Sequence, residues 1–213
     1  AEAQLRMSAS DKDEIIGAVR SINNAGAIGG AENLAYYWYV RAAVYGEFSN
    51  RNGAKYDSAT LDMAALESAK SLNKFYQLAK GDKKATKKYE YLADQVLEVA
   101  AVNSYNKGLN LRRDSSYDRA LEVYAALGEL TKYDEANREI LKSKHPTINY
   151  NQILKLSYIT SFNKGDNVLT RKYLNTLINN KYSDPLLHVY IARTYKNEGN
   201  SEKQLEAIKK GRI

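Results

Sequence analysis

The sequence contains no cysteine, which excludes disulfide bonds, thiolate zinc sites and a cysteine nucleophile. Proline occurs only twice and glycine twelve times, whereas alanine, leucine, lysine and glutamate are plentiful. This composition permits long helices and disfavours a many-turned β-sandwich. No uninterrupted apolar run approaches the roughly 20 residues that a membrane-spanning helix needs. The sequence therefore predicts an all-α protein without a transmembrane segment.

Residues that carry catalysis or bind metals are also scarce. His145 and His188 are the only histidines, and neither belongs to an H-x-x-x-H or H-E-x-x-H arrangement. The glycines within residues 26–30 are not followed by the Gly-Lys-Ser/Thr of a phosphate-binding loop. Neighbouring carboxylates such as Asp11 and Glu14 lie where helix starts favour them. We therefore expect no enzymatic activity, no cofactor and no metal.

Positive charge is concentrated at the C-terminal end. The formal net charge is +7, and residues 146–213 carry eleven basic and five acidic side chains. Such a surface can attract an acidic peptide, anionic lipid or nucleic acid, although lysines on solvated helix faces give the same count. The strongest nucleic-acid candidate is the lysine cluster within residues 83–88, but acidic residues follow it on the same predicted helix. A nucleic-acid partner is therefore not expected.

The chain opens Ala1-Glu2-Ala3, without an initiator methionine. Such a start is typical of an exported protein after removal of its signal peptide, and a chain cut at a chosen position would look the same. The start therefore favours an exported or periplasmic bacterial protein.

A repeat with a period of 34 residues is present in the last third of the chain. Residues 163–167 align with residues 197–201, and the same offset pairs Leu174 with Ile208. In each copy an amphipathic helix ends at a glycine and another begins within two residues, which is typical of a helix hairpin. Helix pairs of this kind must stack to bury their apolar faces.

The repeat resembles the tetratricopeptide repeat (TPR) family, which has the same period. The match includes a turn glycine, and Gln204 and Gly211 depart from it where the family has alanine. The matching residues are Trp38, Ala42 and Tyr45 in the first copy, Tyr117, Ala120 and Tyr124 in the next, and Ile191, Ala192, Tyr195, Gly199, Leu205 and Ile208 in the last. The resemblance implies a right-handed α-solenoid of TPR-like helix hairpins.

We expect a lead or capping helix within residues 1–30 and a repeat domain over 31–213. Its four helix pairs would span about 31–80, 83–143, 148–182 and 184–213. The predicted helices are 11–24, 31–48, 58–80, 83–113, 116–143, 148–163, 167–180, 185–198 and 201–211. Ser115 and Asp118 predict a capping box before the fifth of these helices. Asp184 predicts an N-cap, with Pro185 at the first helical position.

In this family the first helix of each pair lines a concave groove, and the resemblance carries that role to one face of each such helix. Tyrosine offers rigid contact area and basic residues anchor anions, so this groove would suit an extended, acidic peptide. The family's carboxylate clamp is incomplete, because Ile159 follows Lys155 where asparagine is needed. The predicted groove residues are Tyr36, Tyr39, Tyr105, Leu109, Arg112, Lys155, Asn163, Arg193 and Lys196.

The function that the resemblance implies is a non-enzymatic scaffold that binds a segment of a protein partner. One alternative is a solute- or glycan-binding helical protein of the bacterial cell envelope, distinguished by a compact aromatic pocket in place of an open channel. Another is self-assembly into a homo-oligomer, because the last repeat stops at Gly211-Arg212-Ile213 without the polar capping helix of most solenoids. Most of the eighteen tyrosines are expected to pack in the core.

Overall fold

The computed structural model describes residues 12–51, 58–80 and 83–211. These residues form ten α-helices, one 3₁₀ helix at Ala31–Asn33 and no strand, so the all-α prediction is confirmed. Residues 1–11 of the predicted lead segment lie outside the described residues. The helices are α1 Lys12–Ala27, α2 Ala35–Ser49, α3 Ser58–Ala79, α4 Lys83–Arg113, α5 Tyr117–Asn137, α6 Ile140–Lys144, α7 Tyr150–Lys164, α8 Asn167–Asn179, α9 Leu187–Asn197 and α10 Ser201–Lys210.

Consecutive helices pack as pairs, α2 with α3, α4 with α5, α7 with α8 and α9 with α10. In the first two pairs, α2 also contacts α4 and α3 also contacts α5. Lys70 pairs with Glu122, and the Asn73 side chain donates to the Ala126 carbonyl at 2.9 Å. The later residue of α3 contacts the later residue of α5, so the two helices run parallel. This packing agrees with a helical repeat.

The 34-residue period appears in the two C-terminal turns. Gly165 and Gly199 lie in the turns that follow α7 and α9, with φ of 85° and 71°, a left-handed conformation that glycine adopts without strain. The next residues, Asp166 and Asn200, each donate a backbone N–H to the carbonyl five residues earlier at 2.9 Å. Their side chains accept from the backbone amide three residues later, at 2.9 and 3.0 Å. The predicted hairpin turns are therefore confirmed.

The predicted single helix over 116–143 is wrong, because the chain breaks it between α5 and α6. Glu139 takes a left-handed conformation with φ of 55°. The Asp134 carboxylate, only 1% exposed, accepts from the backbone amides of Ile140 and Leu141, each at 2.9 Å. Arg138 turns back to pair with Asp94 on α4. The break gives the free amides at the start of α6 a buried acceptor.

Two predicted helix starts also differ from the structure. Ser116 is the N-cap of α5 and makes no side-chain capping bond, while Ser115 is left-handed with φ of 60°, so the predicted capping box is wrong. Asp118 instead pairs with Lys164 on α7. Pro185 lies in the turn before α9, which begins two residues later than predicted, and the Asp184 side chain accepts from the Leu186 amide at 2.9 Å.

Two buried apolar clusters meet at α7. Ile153 and Leu156 belong to the first cluster, which extends from α1 to α7. Leu154 and Tyr158 belong to the second, which extends from α7 to α10. One helix therefore supplies buried residues to both clusters from different faces.

The approach of α5 to α4 depends on a glycine. A Cβ atom at Gly108 would lie 2.4 Å from Cε1 of Tyr124, closer than real Cβ contacts come. Tyr124 is 1% exposed, so its ring cannot move into solvent. A second helical glycine, Gly128, has its nearest neighbour at an ordinary 3.7 Å, the Cγ2 atom of Ile153.

Candidate functional site

The predicted tyrosines of α2 pack against the start of α4. The Tyr39 ring stacks on Tyr89 with centroids 5.6 Å apart, and Tyr36 lies 4.9 Å from the same ring. Tyr39 is 5% exposed and contributes mainly to the core, so its place in a groove stays a prediction. Tyr36 is half-buried and keeps part of its ring at the surface.

The predicted residues of α4 are half-buried beside Tyr124. Tyr105 and Leu109 pack against the first apolar cluster. Burial raises the pKa of Tyr124 to about 12, and the nearby positive charge of Arg112 acts in the opposite direction. The buried Tyr124 hydroxyl has no hydrogen-bond partner among the described residues. The predicted groove residues of α4 therefore contribute more to packing than to an open surface.

Of the predicted groove residues on α7, some are half-buried and one is exposed. Lys155 is half-buried, and its ammonium lies 3.6 Å from the carboxylate of Asp184. Ile159 is half-buried against the second apolar cluster. Asn163, at the end of the helix, is exposed. Only the last of these residues is open to a partner without breaking an internal contact.

The predicted cations of α9 are both exposed. The Arg193 guanidinium lies 5.5 Å from the ring centroid of Tyr190. Across the described part of the chain, no carboxylate forms an ion pair with Arg193 or Lys196, and Val189 on the same helix is 42% exposed. By contrast, Arg171 on α8 pairs with Glu198 at 2.9 Å. The field of the two α9 cations is therefore not neutralised locally.

Aromatic rings bring α7 and α9 together. The Tyr190 ring contacts both Tyr158 and Phe162, with centroid distances of 5.3 and 5.4 Å. Phe162 and Tyr190 are half-buried, so their outer edges reach the surface. We call the surface that these two helices share the α7/α9 face; its residues are Phe162, Asn163, Val189, Tyr190, Arg193 and Lys196. It joins apolar rings to two cations and lies beside the second apolar cluster.

Sequence reasoning missed a cleft between α3 and α5, with a volume of about 250 Å³. Within it the rings of Tyr76 and Tyr133 stack with centroids 3.9 Å apart and an interplanar angle of 18°. The two tyrosines are 57 residues apart in sequence, and no local pattern connects them. The lining residues are Asn73, Tyr76, Gln77, Ala79, Lys80, Glu129, Tyr133 and Asn137.

Other kinds of site have little support in the described residues. Among them, no three acidic or histidine side chains come together in a way that could hold a metal ion. None of the described helices has the length and apolar character that crossing a membrane requires. His145 instead lies 3.0 Å from Glu98, in a surface pair between the α6–α7 loop and α4. The lysine side chains within residues 83–88 lie outside the described part.

Comparisons of the chain with protein-family models, with curated proteins and with solved structures gave no match. The established description is therefore an all-α protein of ten described helices packed as sequential pairs.

Proposed function

We propose that the protein is a tetratricopeptide-like, right-handed α-solenoid that acts as a scaffold, binding an acidic segment of a partner protein on its α7/α9 face. The observation that carries this proposal is the exposed pair Arg193 and Lys196 next to the partly exposed rings of Tyr190 and Phe162. Aromatic rings and arginine are the residue types that contribute most to protein interfaces.

The arrangement of the helices supports the solenoid part of the proposal. Stacked helix hairpins have three features that this chain shares. Its helices pack as sequential pairs, and in the first two pairs the first helices contact each other, as do the second helices. The turns at Gly165 and Gly199 are equivalent. In such a stack the first helices share one surface. The ring contacts of Tyr190 with Tyr158 and Phe162 support a shared surface of this kind for α7 and α9.

The charges on this face favour an internal acidic segment over a free C-terminal carboxylate. Lys155 is the residue that a carboxylate clamp would need, and it already lies 3.6 Å from Asp184. Arg193 and Lys196 are one turn apart on α9, so they can contact two carboxylates of one extended peptide. Exposed charge pairs contribute about 0.2–1 kcal/mol each, so the predicted binding is weak and sensitive to salt.

The test measures fluorescence anisotropy of short labelled peptides with the intact protein. An acidic peptide containing one aromatic residue is expected to bind, and the double variant R193E/K196E to bind it at least about tenfold more weakly because attraction becomes repulsion. The matched control is K74E/K209E, which makes the same charge change at exposed lysines outside the α7/α9 face.

Equal affinity of the two double variants would show that binding follows net charge and not this face. Equal binding of a basic peptide with the same aromatic residue would also contradict the proposal. Raising the salt concentration should weaken binding to the wild type and to K74E/K209E by the same factor.

A further inference from the structure

The cleft between α3 and α5 has oxygen atoms that are free to accept hydrogen bonds. A backbone carbonyl only accepts, so the Asn73 side chain must direct its Nδ2 atom at the Ala126 carbonyl, 2.9 Å away. By the same argument, Asn137 directs Nδ2 at the Tyr133 carbonyl, at 2.8 Å. The Oδ1 atoms of both amides are therefore left as acceptors. Glu129 adds a carboxylate at the exposed rim.

Two donors complete the polar lining. Gln77 and Lys80 are exposed at the edge of the cleft, one turn apart near the end of α3. Neither side chain makes a hydrogen bond or an ion pair with another described residue. The cleft thus offers acceptor oxygens on Asn73, Asn137 and Glu129 and nitrogen donors on Gln77 and Lys80. This mixture suits a ligand with several hydroxyl groups, because each hydroxyl both donates and accepts.

The aromatic side of the cleft is rigid. Tyr76 is 7% exposed and stacks on the half-buried ring of Tyr133, which borders the cleft. The Tyr76 hydroxyl is buried without a hydrogen-bond partner in the described part of the chain, and burial raises its pKa, so Tyr76 stays neutral. A neutral tyrosine ring gives an apolar surface for the C–H face of a sugar.

We propose that this cleft binds a single hexose ring. The ring hydroxyls would donate to the amide oxygens of Asn73 and Asn137 and to the carboxylate of Glu129, while the C–H face packs on Tyr133. A volume of about 250 Å³ suits a ligand of this size and is small for a drug-sized molecule. The cleft lies between second helices of the pairs, so this site is independent of the α7/α9 face.

The test follows the side-chain amide resonances of Asn73, Gln77 and Asn137 by ¹⁵N NMR. The probes are the methyl glycosides of glucose and galactose and free N-acetylglucosamine. At least one of them is expected to shift all three resonances with a saturating dependence on concentration. E129Q should weaken that binding about tenfold, the effect of losing one charge-assisted hydrogen bond. Q77A, at an exposed position, should weaken it about threefold.

The matched control is E202Q, which removes an exposed carboxylate on α10, outside the cleft, and should leave sugar binding unchanged. A disaccharide probe distinguishes a sugar at the end of a glycan from a free monosaccharide. Stronger binding of the disaccharide than of the methyl glycosides indicates a glycan end, and equal binding indicates a free sugar. The proposal is overturned if none of the sugars shifts the three amides, or if E129Q and Q77A both bind with wild-type affinity.

Discussion

The contact between Gly108 and Tyr124 allows a prediction that opposes helix propensity. Replacing a glycine inside a helix by alanine ordinarily stabilises the fold by about 1 kcal/mol. At position 108 the new Cβ would lie 2.4 Å from Cε1 and 2.9 Å from Cδ1 of a buried ring, so the helices must move apart or the ring must leave its rotamer. Overpacking of this kind costs about 1–3 kcal/mol.

We expect G108A to lower the free energy of unfolding by about 1 kcal/mol net, since the clash exceeds the gain in helix propensity. For a chain of this size that corresponds to a fall in Tm of about 2–4 °C. The assay is urea and thermal denaturation followed by circular dichroism. The matched control is G128A, whose Cβ would meet Ile153 at an ordinary 3.7 Å and which should stabilise the protein.

A double-mutant cycle identifies the cause. In the background of Y124L the aromatic ring is removed, so G108A should become neutral or stabilising, and the coupling between the two positions should exceed about 0.5 kcal/mol. Stabilisation by G108A in the wild-type background, similar to that of G128A, would refute the reasoning. Additive effects of the two substitutions would do the same.

Two further predictions concern buried polar groups. D134A should destabilise the protein by about 2–3 kcal/mol in urea denaturation, because it leaves the amides of Ile140 and Leu141 without an acceptor. D134N keeps one acceptor oxygen and should destabilise the protein less. Equal destabilisation by the two variants would contradict this explanation. Burial raises the pKa of Tyr124 and Tyr158 to about 12, so each stabilises the fold below pH 10 and loses that contribution as pH rises from 10 to about 12. The double variant Y124F/Y158F should therefore show a shallower loss of unfolding free energy over this range, and an unchanged slope would exclude the two tyrosines as its cause.

Much of the helical structure could be predicted from the sequence. The turns at Gly165 and Gly199 are local, since each glycine and the capping residue after it lie within a few positions of one another. The periodic apolar residues of α4 and α8 place both helices within a residue of their observed ends. Local signals of this kind depend on the backbone and need no distant partner.

The break after α5 could not be predicted in this way. It depends on the burial of Asp134 and on the pairing of Arg138 with Asp94, a residue 44 positions away. In the sequence, residues 134–139 read as a charged helix surface. The tertiary contact between Arg138 and Asp94 decides between a continuous helix and the observed turn, and that contact cannot be derived from a single sequence.

The site was predictable only in part, for the same reason. Arg193 and Lys196, which the resemblance indicated, are both exposed on α9, and their role in binding stays a prediction. The burial of Tyr39 could not be predicted, because its ring stacks on Tyr89, 50 residues later in the sequence. The cleft residues escaped notice because Tyr76 and Tyr133 meet only when α3 and α5 pack side by side.

The position of α7 between the two apolar clusters couples the packing of one cluster to that of the other. Ile153 and Leu154 are adjacent in sequence yet belong to different clusters, so any rotation of the helix that relaxes one cluster strains the other. Densely packed interiors resist such rotation. The C-terminal helix pairs are therefore coupled to the rest of the described chain through the packing of α7.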